Sequence, residues 1–392
     1  MTRRHFLAST ITSGFAISTG LAEERRWRVG VIGHTGQGGY GHGLDTMWLK
    51  LPETEIVGVA DADAAGLAAA QKKLKVERGF ADYRQMLAEV KPELVAIGPR
   101  EIGEHRDMAL AAIEAGARGI YMEKPFCRTL AEADEILAAC ERTGTRLALA
   151  HRNRYHPALT MVAKLLKEER IGRLLEIRAR GKEDARGGAL DLWVLGSHVL
   201  NLAVHLSGDP AAVTATLLQD GRPIARRDVK EGAEGVGPLA GNEVHARFEL
   251  ASGVPLFFDS VAGAGNAPAG FGLQLIGTTG VIDLRIDTTP LAHLLPGSPF
   301  RPIAEPRVWI PIISTGLGES EPIADVHNQV AGHLIPGRDL IDAVREKREP
   351  LCSGRDGRRI VEMITSVFES ARLNCQRVAF PLAIRGNPLA TL

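Results

Sequence analysis

The chain has 392 residues, 45% hydrophobic and 24% charged, an ordinary globular composition that is too long for one hydrophobic core and points to two domains. Lysine plus arginine equals aspartate plus glutamate at 47 each, so the formal net charge is zero and no basic field exists to recruit nucleic acid. The four cysteines, Cys127, Cys140, Cys352 and Cys375, make no C-x-x-C pair and no metal-ligand spacing with histidine, so neither a zinc module nor any other metal site is expected.

The chain opens on Thr2-Arg3-Arg4-His5-Phe6-Leu7, followed by a weakly apolar stretch over residues 8–21 and then Ala22-Glu23-Glu24. A short basic segment, an apolar segment and a small-residue end form the pattern of an export signal over residues 1–26. Paired arginines before Phe-Leu resemble the twin-arginine signal. The apolar segment is too short and too polar to span a membrane. The expectation is a periplasmic or secreted protein with no membrane contact after signal removal.

Residues 27–150 alternate strand and helix. Strands are predicted at 27–32, 55–60, 94–97, 119–121 and 146–150, with helices at 64–75, 83–89, 106–115 and 130–142. That alternation predicts an α/β domain with a doubly wound parallel sheet. The first strand runs into Gly33-His34-Thr35-Gly36-Gln37-Gly38-Gly39-Tyr40-Gly41. Glycines such as Gly33, Gly36 and Gly38 let a backbone turn approach a pyrophosphate at a helix N-terminus. The strict G-x-G-x-x-G pattern is broken, because Thr35 stands where the second glycine belongs. Asp61 ends the second strand, where a carboxylate accepts the adenosine ribose hydroxyls and repels a 2′-phosphate. Ala62 offers no compensating charge, so NAD is favoured over NADP. The strand at 119–121 leads into Met122-Glu123-Lys124-Pro125, and Pro125 restrains Lys124 to an extended backbone. A Glu-Lys pair at that point lies at the carboxyl end of the sheet, where open α/β sheets bind ligands.

After residue 150 the pattern changes. A helix is predicted from 156 to 169, a strand at 174–180, a helix at 195–206, and strands at 211–218, 243–250, 254–261, 272–276 and 281–286. Turns at 251–253 and 278–280 join two of these pairs as hairpins. Residues 287–327 form a long Pro- and Gly-rich excursion, and two helices at 334–346 and 357–373 close the chain. The second domain, residues 151–392, is therefore expected to be α+β with a large, mostly antiparallel sheet.

Together, the glycine turn, Asp61, Pro99 with His105, Glu123-Lys124-Pro125, the Arg152-Asn153-Arg154-Tyr155-His156-Pro157 run and Gly196-Ser197-His198 resemble the Gfo/Idh/MocA oxidoreductases. The resemblance spans nearly all of residues 27–385. It implies an NAD-binding Rossmann domain (27–150) and a second domain that binds substrate and mediates oligomerisation, with a homo-oligomer expected. It implies Lys124 beside the reacting carbinol, His198 as proton acceptor or donor, and Pro99, His105 and Glu123 around the nicotinamide. Arg152, Arg154 and His156 are implied substrate contacts, the partner being a small carbohydrate or polyol. The family pattern places an aspartate four residues before the histidine, yet here that residue is Val194. Asp191, seven residues before His198, lies on the same face of a regular helix and either takes that aspartate's place or caps the helix.

Export of a folded protein implies a dinucleotide bound beforehand and recycled in place. Either a sugar is oxidised in a ping-pong cycle, or transient oxidation enables elimination of a glycosidic group with no net redox change. A non-catalytic sugar or dinucleotide binder is the rival of another class, with Val194 as the feature that favours it.

Overall fold

The computed structural model describes residues 25–265, 271–301 and 306–392, so the expected export signal lies outside the described residues apart from Arg25 and Arg26. Six strands form the first sheet: β1 (Trp27–Ile32), β2 (Thr54–Ala60), β3 (Gly79–Phe80), β4 (Leu94–Ile97), β5 (Gly119–Met122) and β6 (Arg146–Leu149). All pairings are parallel, in the order β3-β2-β1-β4-β5-β6. Strands covered on both faces need continuous apolar runs, which Leu94–Ile97 and Gly119–Met122 supply with every residue buried. Helices α1 (Ala64–Leu74), α2 (Tyr83–Val90), α3 (His105–Glu114) and α4 (Leu130–Thr143) cover the sheet. Asp63, Asp82 and Thr129 cap three of them by accepting backbone N–H groups. The strand order reverses between β1 and β4, which opens a ligand crevice at their carboxyl ends.

Helix α5 (Ala158–Lys167) leads into the second sheet. Its strands are β7 (Leu174–Arg180), β8 (Pro210–Gln219), β9 (Glu243–Leu250), β10 (Pro255–Val261), β11 (Gly272–Gly277), β12 (Gly280–Arg285), β13 (Ala292–Pro296), β14 (Ile310–Ile312) and β15 (Val378–Ala379). They lie in the order β14-β13-β12-β11-β7-β10-β9-β8-β15, with Arg222–Pro223 paired beside β8 as a tenth strand. Only β7 and β10 pair in parallel. Alternation sets the faces: on β9, Val244, Ala246, Phe248 and Leu250 are buried while Arg247 is exposed. The buried face is covered by α6 (Ala189–Ser207) and the last long helix, Gly354–Arg372, which opens with a Ser353–Asp356 capping box. Among the described residues α6 alone has the length and apolar composition of a membrane span, and 78% of that window is buried inside the fold, as in a core helix.

Two features depart from the expected layout. The second-domain segment 151–392 lends the helix Leu334–Glu346 to the first sheet, where Leu340, Ile341 and Val344 pack with Val29, Leu94 and Tyr121. The helix expected at 195–206 begins earlier, and its Leu192–Gly196 stretch is π-helical. Gly196 lets that stretch press on the sheet, because a Cβ there would lie 2.7 Å from the Phe258 ring.

Candidate active site

The carboxyl end of β5, the loops after β6 and β7, the start of α6 and the segment after β12 surround a cavity of about 390 Å³. Lys124, Glu123, His198, Arg152, Lys182, Arg186, Asp287 and Thr288 line it, together with His42, His333, Ala150, Leu195, Phe271 and Ile286. The cavity therefore joins both domains. Among the described residues no group of three or more His, Cys, Asp or Glu is placed to hold a metal ion.

Lys124 is 6% exposed, and its Nζ donates a 2.8 Å hydrogen bond to the carbonyl oxygen of Val194. Burial lowers its pKa, and the neighbouring Glu123 carboxylate restores part of the loss. Glu123 is buried and fully engaged: the Lys124 backbone N–H donates to Oε2 at 2.8 Å, and His42 Nδ1 bonds Oε1. Burial pushes this carboxyl up, but the bond from His42 and the charge of Lys124 outweigh it and hold the pKa at about 2. On the other side of the site His333 Nδ1 bonds the Tyr121 hydroxyl at 2.6 Å. Burial lowers the His333 pKa to about 4, so this ring is neutral at pH 7.

His198 reaches the cavity from α6. Its Nδ1 is buried with no hydrogen-bond partner, and its ring meets His151 edge-on at 5.2 Å and Phe271 at 6.3 Å. Burial, followed by the charge of Lys124, holds its pKa well below the usual histidine range. Asp191 does not reach it. The Asp191 Oδ2 accepts from the Ser260 hydroxyl at 2.6 Å and from the Glu183 backbone N–H at 3.0 Å. The reason is geometric: a spacing of seven returns to one face only in an uninterrupted α-helix, and the wider π-helical turn at Leu192–Gly196 shifts the phase between the two residues. Asp191 is thus neither a partner for His198 nor a helix cap; it ties the loop after β7 to β10.

The expected substrate contacts divide. Arg152 lines the cavity and is held by Asp287 through bonds of 2.6 and 3.0 Å, with Asn153 joining the same carboxylate at 2.9 Å. Arg154 and His156 do not line it. His156 turns its Nδ1 to the Ala158 backbone N–H at 3.1 Å and serves the start of α5. His42, His151 and His333 carry no motif around them; only the fold brings them to Lys124.

The glycine turn is open where a dinucleotide needs it. Gly36 has φ +89° and no atom within 4 Å of a Cβ position, while Gly38, φ +86°, would place a Cβ 2.5 Å from the Arg100 backbone N. Only glycine satisfies both demands. Thr35 explains the missing second glycine: its N–H donates to Asp61 at 3.1 Å and its hydroxyl donates at 2.7 Å. Asp61 also accepts from the Asp63 N–H at 3.0 Å and is 1% exposed. It therefore braces the turn from beneath, whereas a carboxylate open to both ribose hydroxyls was expected. Burial raises its pKa, but the Thr35 and Asp63 bonds prevail and keep it below the usual carboxylate range. Gly33 and Asp61 line the adjoining cleft of about 190 Å³. Pro99 and His105 line neither space: the His105 ring spans the carbonyls of Pro99 at 2.8 Å and Pro125 at 3.0 Å, fastening the segment that carries Lys124.

Residues 27–151 match the family model described as the oxidoreductase family, NAD-binding Rossmann fold, Gfo/Idh/MocA. The chain is 27% identical to D-apiose dehydrogenase of Paraburkholderia graminis over 339 residues, 83% of either chain. It is 24% identical to levoglucosan dehydrogenase of Pseudarthrobacter phenanthrenivorans over 360 residues, 82% of this chain and 88% of the relative. The solved structure of a levoglucosan dehydrogenase with NADH and levoglucosan shares the fold at TM-score 0.71 and 22% identity, covering 91% of this chain and all of that one. With the Rossmann model matched over its first domain, dehydrogenase relatives aligned along most of its length, and an open glycine turn that fits NAD, the chain is an NAD-dependent oxidoreductase whose first domain matches the Gfo/Idh/MocA family.

Proposed function

We propose that this protein oxidises a sugar or polyol hydroxyl with an NAD that stays bound and is recycled in place, the hydride passing from the first sugar to the nicotinamide and from there to the carbonyl of a second sugar. The observation that carries this reading is that Lys124 and His198, from different domains, line one cavity. The relatives' names, D-apiose dehydrogenase and levoglucosan dehydrogenase, support the substrate class. The Gly33–Gly41 turn would hold the dinucleotide, braced by Thr35 and Asp61. When bound, NAD supplies the hydride acceptor.

The chain's own residues handle the proton. Burial favours the neutral Lys124 amine, whose lone pair accepts the hydroxyl proton. Glu123, held ionised beside it, stabilises the ammonium that results, and the Val194 carbonyl keeps Nζ in place. His198 is a poor proton acceptor, because no group on Nδ1 supports an imidazolium. Its role is to orient the hydroxyl from its cavity-facing edge.

The twin-arginine-like N-terminus supports export of a folded, cofactor-loaded protein to the periplasm or beyond, where recycling replaces exchange with free NAD. A homo-oligomer, which the family resemblance implies, would pair through the outer face of the second sheet, where Arg247 is exposed. The test is purification without added cofactor, denaturation, and a dinucleotide assay on the released material, followed by a sugar panel read by NADH absorbance. Stoichiometric NAD(H) and sugar-dependent reduction are expected. A protein that releases no dinucleotide loses the recycling claim, and one that forms no NADH with any sugar, even with NAD supplied, loses the whole reading.

A further inference from the structure

We propose that the substrate is a sugar acid, an aldonate or uronate, whose carboxylate is received by Lys182 and Arg186 at the cavity mouth. The inference rests on the oxidoreductase reading above and names its substrate class. It follows from an account of the charges that line the cavity. Inside, the Glu123 and Glu234 charges act on Lys124 through space, and Arg152 is held by the two oxygens of Asp287 at 2.6 and 3.0 Å. At the mouth, Lys182 and Arg186 share one carboxylate, Asp184. Arg186 takes both its oxygens at 2.6 and 3.0 Å, whereas Lys182 Nζ stays 3.8 Å away, beyond hydrogen-bond length. Glu234 acts on Arg186 only through space and does not line the cavity. The buried His198 and His333 rings, held neutral, add no charge. Among the described residues, the Lys182 ammonium is left facing the cavity with no carboxylate within hydrogen-bond length.

The loop that carries it is fixed in advance. Asp191 accepts the Glu183 backbone N–H, and the Glu183 carboxylate takes Arg180 at 2.7 and 3.0 Å and the Val261 N–H at 3.0 Å. Lys182 and Arg186 flank this anchor, so a carboxylate meets prepositioned donors and loses little to loop ordering. The adenosine end of the cofactor would lie apart from these cations, because the cleft lined by Gly33 and Asp61 shares no residue with this cavity. A sugar acid placed with its carbinol at Lys124 and its carboxylate at the mouth uses both ends of the site.

The test compares matched pairs, D-glucuronate with D-glucose and D-galacturonate with D-galactose, with NAD supplied, for the wild type, Lys182→Met and Lys182→Arg. The wild type is expected to favour the acids in kcat/KM by about tenfold or more at low salt, the preference shrinking as salt screens it. Lys182→Met is expected to cut the acid-to-neutral ratio about tenfold, mainly through KM, and Lys182→Arg to retain it. Neutral sugars turned over as well as acids, or a ratio unmoved by Lys182→Met, overturns the inference and leaves the oxidoreductase reading standing. No NADH from either class removes both.

Discussion

Asp191 offers the sharpest separation between a catalytic and a structural role. Its Oδ2 receives the Ser260 hydroxyl at 2.6 Å and the Glu183 N–H at 3.0 Å in a fully buried setting. Asp191→Ala strands both donors. Each buried donor left unpaired costs about 1–3 kcal/mol, so the loss is on the order of 2–6 kcal/mol. For a domain of this size that lowers Tm by roughly 5–20 °C. Asp191→Asn keeps an acceptor oxygen at the Oδ2 position and should cost much less than the alanine, because burial already disfavours the charge it removes. It also tests linkage. Burial raises the Asp191 pKa even against the Ser260 bond, so the folded state holds this proton more tightly than the unfolded chain. The resulting stability is complete below the unfolded carboxyl pKa and is lost as pH rises through the folded one, and Asp191→Asn should flatten that slope. Calorimetry across the acid range, with kcat/KM measured on the same preparations, decides the matter. If Asp191→Asn left Tm intact but cost turnover a hundredfold and moved its pH profile, Asp191 would be serving His198 and the structural argument would fail.

Further outcomes follow from the same geometry. Lys124→Met should lower kcat by about 10²- to 10⁴-fold while retaining bound NAD, since the amine is the proton acceptor. Burial depresses its pKa and the proposed active form is the neutral amine, so wild-type kcat/KM should climb as pH rises through that depressed value, and residual Lys124→Met activity that keeps the same climb would count against the assignment. Thr35→Val removes the hydroxyl that donates to Asp61 at 2.7 Å and should weaken NAD binding by about tenfold in calorimetric titration. Val194→Asp should not recreate a partner for His198, because Val194 packs in the main hydrophobic cluster and is 1% exposed. A lower Tm with no gain in kcat/KM is the expected result, and a gain in activity at unchanged Tm would refute it.

Much of this was legible before the fold was seen, because it depends on local rules. Alternating apolar strands and helices specify a parallel sheet, and a Glu-Lys-Pro run after a buried strand has one place to go, the carboxyl edge. Other parts of the site depend on pairings distant in sequence. His42 meets Glu123 across 81 positions, and Tyr121 meets His333 across 212, with no periodicity to announce either. Thr35 read as a defect in a glycine pattern, because the pattern cannot show that the hydroxyl has a carboxylate 26 residues away to hold. Arg154 and His156 share the Arg152 motif but not its direction: the 3-10 turn over Arg152–Tyr155 sends Arg152 and Asn153 toward Asp287, and not Arg154.

The π-helical stretch ties these departures together. Sequence spacing is a statement about angle only if the helix is regular, and between Asp191 and His198 it is not. The widened turn sends Asp191 to Ser260, buries the Val194 side chain in the core and presents the Val194 carbonyl to Lys124 Nζ at 2.8 Å. A carbonyl can position a lysine, but it binds more weakly than a carboxylate and brings no charge to stabilise an ammonium or an imidazolium. That leaves Glu123 and Glu234, acting through space, to favour the Lys124 ammonium, and it leaves His198 neutral and unsupported. Under the proposed function, proton transfer therefore falls to the lysine. The same slip gives Asp191 a second use, because the carboxylate withheld from the histidine now anchors the loop that points Lys182 and Arg186 into the cavity. Loss of the expected acid–base pair and gain of a cationic mouth are two results of one change in helical phase.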